Sequence, residues 1–309
     1  MHEVAIRKAD VLVEALGYIR KFQGCFTVIK LGGSVMEDPE ALRALLVDVV
    51  FMQTVGMRPV VVHGGGKAIT FAMERAGLEA RFVQGRRFTD DATLEIVARV
   101  LAEEINLDIV RHITKYGGRA IGLHHRTTQC LFGQKLMLQD PKVGEVDLGR
   151  VGEVTDVEVV TIENACLAGI VPVLPSLAED DDGRLLNVNA DTAAAAVARA
   201  LKAEKLVFLT DTPGILMDRS EPESLIRGLS PESCRDLIDR GVIDRGMIPK
   251  VEACLTSLEE GVRKTHIIDG RLRHSLLLEI YTEAGIGTQI VLNGLQDGPE
   301  PRRPFAAQR

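Results

Sequence analysis

The sequence predicts an α/β fold built on a mainly parallel sheet with helices on both faces. Strand-sized apolar runs alternate with helix-periodic segments along the chain, the order that crossover connections require. Runs such as Lys205–Thr210 and Ile170–Leu174 have the length and continuous apolar character of strands buried on both faces.

Residues Ala9–Phe22 read as a helix ahead of the main body, with Val11, Ala15, Ile19 and Phe22 at helical spacing. Phe26–Leu31 reads as a strand ending in Gly32-Gly33-Ser34, and Pro39–Phe51 as a helix with proline in its first turn. Pro59–His63 is a β-branched strand ending in Gly64-Gly65-Gly66, and a helix follows over Lys67–Ala76. Asp90–Asn106 is a helix whose acidic start suits the dipole. Arg119–Gly149 has mixed patterning and predicts short strands or a hairpin. Strand Ile170–Leu174, loop Ala178–Arg184, the alanine-rich helix Thr192–Leu201 and strand Lys205–Thr210 come next. Helices Ser230–Arg240 and Val251–Glu260, strand Thr265–Ile268 and strand Gln289–Leu292 complete the order, and Gly298–Arg309 is expected to fray.

The 309 residues suit one large domain or two that share an interface. No apolar run reaches the ~18 residues of a membrane span. Residues 1–20 lack an apolar core behind a basic start, so no secretory signal is expected. A net charge of −7 argues against a nucleic-acid partner and leaves room for an anionic ligand in a locally basic pocket. The five scattered cysteines form no C-x-x-C, so neither a disulfide framework nor a zinc site is expected, and Cys25, Cys166 and Cys254 read as small core residues. The chain reads as cytoplasmic.

Five segments carry chemistry. Lys30-Leu31-Gly32-Gly33 and His63-Gly64-Gly65-Gly66 place glycines after strands, where backbone N–H groups can approach an anion. Glycines also make plain tight turns, and neither cluster is a P-loop or a dinucleotide fingerprint. Gly85-Arg86-Arg87-Phe88-Thr89-Asp90 offers guanidinium forks suited to a carboxylate, or a solvated basic turn. In Asn187-Val188-Asn189-Ala190-Asp191, Asp191 could cap the next helix, which explains neither asparagine. Gly246-Met247-Ile248-Pro249-Lys250 sets a lysine against the positive end of a helix, a cost that a function would explain.

Taken in order, these segments and Leu209-Thr210-Asp211-Thr212-Pro213-Gly214 resemble the amino-acid kinase family, and within it the branch that phosphorylates N-acetylglutamate. The resemblance runs from about residue 18 to residue 292. It implies an open αβα sandwich of two lobes. Residues 23–195 would hold the acyl amino acid and 196–309 would hold ATP with Mg²⁺, after an oligomerisation arm over 1–22. It implies that Lys30 and Lys250 neutralise the transferring phosphoryl group and that Asp191 orients both. Gly64, Gly65, Arg87, Asn187 and Asn189 would hold N-acetyl-L-glutamate. Gly32, Gly33, Thr210, Asp211 and Gly214 would lie at the nucleotide. No protein metal site is implied.

Members that L-arginine inhibits carry an N-terminal helix and a segment like Leu277–Thr288, in which Glu279, Gly285 and Gly287 would meet the effector. They assemble as hexamers from three dimers, so a homo-oligomer, dimer or hexamer, is expected. Two departures stand out. His124-His125-Arg126-Thr127-Thr128 replaces a small glycine-containing turn, and Arg245 replaces a smaller or acidic residue. A kinase acting on carrier-bound aminoadipate and a non-catalytic arginine sensor are the alternatives. The spacing of Gly85–Thr89 and the presence of both lysines and Asp191 weigh against them.

Overall fold

The structure, a computed structural model, describes residues 2–140, 144–244, 246–282 and 285–292. Helix α1 (His2–Phe22) leads into β1 (Phe26–Leu31), the short α2 (Gly33–Glu37), α3 (Pro39–Thr54), β2 (Arg58–His63) and α4 (Gly66–Arg75). A small hairpin, β3 (Phe82–Val83) and β4 (Arg86–Arg87), precedes α5 (Asp91–Ala98), a π-helical stretch (Arg99–Ile105) and α6 (Asn106–Lys115). Next come β5 (Ala120–Gly122), β6 (Leu131–Asp140), β7 (Gly144–Val157), α7 (Val159–Leu167), β8 (Val171–Pro175), β9 (Leu177–Glu179) and β10 (Leu185–Val188). The remainder is α8 (Ala190–Ala200), β11 (Lys205–Thr210), β12 (Gly228–Leu229), α9 (Pro231–Asp239), α10 (Ile248–Glu259), β13 (Lys264–Asp269), α11 (Ser275–Ile280) and β14 (Thr288–Ile290).

One eight-stranded sheet runs β12-β14-β13-β11-β1-β2-β8-β5. Its pairings are parallel except that of β13 with β14. The central strands are mostly apolar because both faces are covered, and their period of two sorts side chains between two cores. Val28, Val60, Val62, Leu206 and Phe208 join the core under α8 and α10. Ile29, Leu31, Val61, Val207 and Leu209 join the opposite core with α3, α6 and α11. Lys30, two residues after Val28, therefore faces α8 and α10. Residues 193–198 of α8, five alanines and Val197, are all buried, which lets that helix lie close to the sheet.

Several expected bounds shift. The helix expected over Asp90–Asn106 runs on to Lys115, with a π-helical stretch inside it. The mixed region is a long hairpin, β6 with β7, which closes with β9 and β10 into a four-stranded ring. The loop expected from Ala178 begins inside β9. Helices α2, α7 and α11 were not expected. Cys25 is partly exposed, whereas Cys166 and Cys254 are buried as expected. Residues Gly298–Arg309 and Arg245 lie outside the described residues.

Candidate active site

Lys30 on β1 and Lys250 in the first turn of α10 meet at one carboxylate. Lys30 Nζ lies 2.7 Å from Asp191 Oδ1 and Lys250 Nζ 2.9 Å from Asp191 Oδ2. Asp191 does not cap α8. Asn189 does, its Oδ1 accepting from the N–H groups of Asp191 and Thr192 at 2.9 and 3.1 Å. The Asp191 side chain is thereby left for the lysines. Burial alone would raise its pKa, but the charges of Lys30 and Lys250 outweigh that and hold the carboxyl below its usual range.

Beside this triad lies a cavity of about 170 Å³, walled by Gly64, Gly65, Arg87, Asn187 and Asn189. All five expected acyl-site residues thus line one space, together with Arg86 and Ser176, which bore no such expectation. A side chain at either glycine would make its neighbours shift. A Cβ on Gly65 would stand 2.6 Å from Ile105 Cδ1 and 2.7 Å from Leu101 Cδ2, and one on Gly64 would stand 3.1 Å from Ala190 Cβ. Arg87 lies on the Phe82 ring and donates from Nη2 to Gly66 O at 2.8 Å and Thr70 Oγ1 at 2.7 Å. Burial pulls its pKa down from the ordinary value. Asn187 Nδ2 donates to Thr89 Oγ1 at 3.1 Å, and Thr89 Oγ1 donates to Arg87 O at 2.9 Å, so β10 and β4 are tied across the cavity.

The residues expected at the nucleotide gather where β1 and β11 end. Gly32 caps α2, and a Cβ on it would stand 2.4 Å from Leu209 O, whereas nothing lies within 4 Å of one on Gly33. Thr210 Oγ1 donates to Asp211 Oδ1 at 3.2 Å, and Arg271 Nη2 donates to Asp211 O at 2.6 Å. Gly214 has a φ of +145°, and a Cβ on it would meet Thr288 Oγ1 at 2.6 Å.

Residues 26–269 match the model of the amino acid kinase family. An acetylglutamate kinase of Thermoanaerobacter sp. (strain X514) is 48% identical over 285 residues, covering 92% of this chain and 93% of its own. An acetylglutamate kinase of Synechococcus elongatus (strain ATCC 33912 / PCC 7942 / FACHB-805) is 47% identical over 297 residues, 96% of each chain. The chain belongs to the amino acid kinase family. Its fold is shared with the N-acetylglutamate synthase of Neisseria gonorrhoeae complexed with coenzyme A and N-acetyl-glutamate. That match has a TM-score of 0.80 at 25% identity and covers 92% of this chain and 63% of that one. The structure of Giardia carbamate kinase is similar in fold, with a TM-score of 0.59, over 87% of this chain and 99% of that one, at 15% identity. This member of the amino acid kinase family is a phosphotransferase.

The three effector candidates of this amino acid kinase also share one space. A cavity of about 600 Å³ is lined by Glu279, Gly285 and Gly287, and by Tyr18, Lys21 and Phe22 of α1. Glu279 is buried. Its Oε1 accepts from His266 Nδ1 at 2.7 Å, and its Oε2 accepts from the N–H groups of Ile286 and Gly287 at 2.7 and 3.0 Å. Burial pushes the His266 pKa down to about 4, so a neutral ring donates. Burial would raise Glu279, but the His266 hydrogen bond and the two N–H groups keep it ionised, below the usual carboxylate range. Glu283 and Ala284 of this segment lie outside the described residues.

Sequence reasoning missed Lys205 and Lys264, buried lysines that line the same cavity in register on β11 and β13. Burial and the Lys264 charge lower the Lys205 pKa to about 8. A lysine opening a strand, as in K-L-V-F-L-T and K-T-H-I-I-D, was the available signal. None of His124–Thr128 lines the cavity walled by Gly64 and Arg87; Arg126 pairs with Glu103 at 2.9 Å instead. Among the described residues no group of His, Cys, Asp or Glu could hold a metal ion, and no helix is long and apolar enough to cross a membrane.

Proposed function

We propose that this chain transfers the γ-phosphoryl group of ATP to the γ-carboxylate of N-acetyl-L-glutamate. The products are N-acetylglutamyl 5-phosphate and ADP, in the second step of arginine biosynthesis. The observation that carries the reading is the pair of lysines held on Asp191 beside a glycine-walled cavity that contains an arginine. The names of the relatives at 45–48% identity support the substrate.

The chemistry needs no general base, because an ionised carboxylate is already a nucleophile. One carboxylate oxygen attacks the γ-phosphorus, the bond to the ADP oxygen breaks, and ADP leaves with the electron pair. Alignment and charge stabilisation then set the rate. In this reading Arg87, Asn187 and Asn189 bind the acyl amino acid in the lobe spanning 23–195. Gly32, Gly33, Thr210, Asp211 and Gly214 receive the nucleotide, with 196–309 as its lobe. Lys30 and Lys250 meet the charge that builds on the phosphoryl oxygens, and Asp191 keeps both in place without reorganisation. Mg²⁺ arrives as part of the MgATP substrate, where phosphates and water supply most of its ligands. Water exclusion protects the acyl phosphate. We assign the reaction to the cytoplasm.

The test is hydroxylamine trapping of acyl phosphate with purified protein and MgATP. Hydroxamate should form fastest with N-acetylglutamate. Faster trapping with N-acetylaminoadipate, aspartate or free glutamate would overturn the substrate assignment.

A second reading concerns regulation. The cavity between α1 and Glu279 is lined by that carboxylate and by the cations Lys21, Lys205, Arg227 and Lys264. That lining fits a ligand with a guanidinium or ammonium end and a carboxylate end, and we assign it to L-arginine. The apolar side chains Ile6, Val11, Leu12 and Val13 of α1 are 58–71% exposed. An apolar stripe of this kind supports pairing of α1 with a second copy, and so a hexamer built from dimers.

A further inference from the structure

A buried polar chain lies behind the glycine wall of the acyl cavity. His63 closes β2 and is fully buried. Its Nε2 lies 3.1 Å from Asn106 Nδ2, which in turn lies 2.9 Å from Val173 O. A carbonyl only accepts, so Val173 fixes the amide nitrogen of Asn106 toward β8. The second amide hydrogen then points at His63 Nε2, which must present its lone pair. The ring proton is left on Nδ1, where it donates to Gly64 O at 3.1 Å. His63 is thus set as one tautomer by two neighbours that cannot exchange roles. Burial pushes its pKa down to about 4, so this neutral form persists across neutral pH.

Two further features build the chain. A Cβ on Gly122 would stand 2.1 Å from Asn106 Oδ1, so β5 leaves room for the amide only because it has glycine there. The π-helical stretch ends at Ile105, so its wider turn sets the register in which Asn106 enters the interior.

Gly64 O and Gly65 N–H belong to one trans peptide and leave it on opposite sides. Holding the carbonyl on His63 aims the N–H away from His63, and both glycines line the acyl cavity. A Gly-Gly peptide otherwise turns at low cost, because neither residue has a Cβ to restrict it. We propose that His63, locked by Asn106 as its Nδ1–H tautomer, is a positioning residue that orients the Gly64–Gly65 peptide toward the carboxylate being phosphorylated. This rests on the kinase reading above and adds to it a residue that never touches substrate.

Two substitutions separate orientation from mere filling. His63→Asn keeps an amide nitrogen at the Nδ1 distance from Cα, so donation to Gly64 O can survive. His63→Gln is closer in size but reaches as Nε2 does and loses that donation. His63→Asn is expected to retain kcat within about tenfold. His63→Gln should lose on the order of 10²-fold, as small misplacements at reacting centres do. KM for both substrates should stay within about threefold in each. Equal losses in two variants of equal Tm, or the reverse order, would overturn the proposal.

The ring tautomer of wild-type His63 is measured separately by long-range ¹H–¹⁵N NMR, with Nδ1–H expected between about pH 5 and 8. Should neither variant fold, this measurement decides. A wild-type chain that forms no acyl phosphate sinks both readings, and one that forms it with an Nε2–H ring sinks this one alone.

Discussion

At Asp191 one carboxylate spends both oxygens on ammonium groups that arrive from opposite ends of the sequence. Removing either cation is expected to slow phosphoryl transfer without unfolding the chain, because Lys30 and Lys250 sit at an element end or in a first helical turn. Lys30→Ala and Lys250→Ala should each lower kcat by roughly 10²-fold, about 3 kcal/mol of transition-state stabilisation. Near-normal turnover in a folded variant would remove that lysine from the mechanism. Arg87→Lys tests the other half of the site. It keeps the charge and loses the fork that now holds Gly66 O and Thr70 Oγ1. KM for the acyl amino acid should rise far more than KM for ATP, and the reverse pattern would move Arg87 to the nucleotide side. Arg86 lines the same cavity and cannot serve as the silent control. Arg81, stacked on Phe88, is the better choice. At this scale the sequence was legible where chemistry demanded rare spacing, as in G-M-I-P-K and N-V-N-A-D. For Lys205 and Lys264 it offered only a lysine at the head of each strand, because strand register alone brings two lysines 59 positions apart to one cavity.

Two adjacent glycines at the start of α2 show how an element constrains its residues. Gly32→Ala would drive a methyl group against a backbone carbonyl that cannot yield, 2.4 Å away, while Gly33→Ala points its methyl into open space. The first should lower stability by about 1–3 kcal/mol, as overpacking does. The second should leave Tm in place and raise KM for ATP if the nucleotide phosphates approach that backbone. Thermal melts and steady-state kinetics separate the two, and a stable Gly32→Ala protein would count against the close packing of α2 on β11. Parallel strands and amphipathic helices were readable element by element, since their periods are local. The π-helical stretch was not, because the extra residue per turn leaves no periodic mark and Asn106 looks like an end to the helix rather than its buried middle. The four-stranded ring was hidden for a related reason: β6 meets β9 at Phe132 and Glu179, a contact between distant segments.

At the scale of the whole molecule, His63, His266 and Asp48 are among the buried groups that shape the acid response. His63 and His266 titrate near pH 4 when folded and near 6.5 when unfolded, burial being the main cause. Between those values the unfolded chain binds more protons, so each histidine lowers stability as pH falls, by about 1.4 kcal/mol per pH unit. Asp48, raised by burial from 3.8 to about 6, works the other way over part of that window, because the folded chain takes up its proton first. Stability should therefore fall on acidification from about pH 6.5 toward 4, and Asp48→Asn should steepen the fall; urea unfolding at a series of pH values reads both. A flat profile would mean that the histidines are hydrated in solution. Removing residues 1–22 takes Tyr18, Lys21 and Phe22 from the cavity that we assign to L-arginine. In the full chain L-arginine is expected to inhibit with a sigmoidal dependence, and truncation should shift or abolish this and reduce the assembly. Indifference to millimolar arginine, or sedimentation of the full chain as a simple dimer, would sink the regulatory reading and leave the kinase reading intact. The same cavity has a consequence for synthesis on the ribosome, where N-terminal parts emerge first. Its walls come from α1, among the first residues translated, and from Gly285, Gly287 and Gln289, among the last described. Until β14 is made α1 has no cavity to complete, and until β11 is made β1 lacks cover on its second edge. A chain interrupted before β14 holds Lys30, Asp191 and Lys250 and yet lacks one wall of the cavity beside α1.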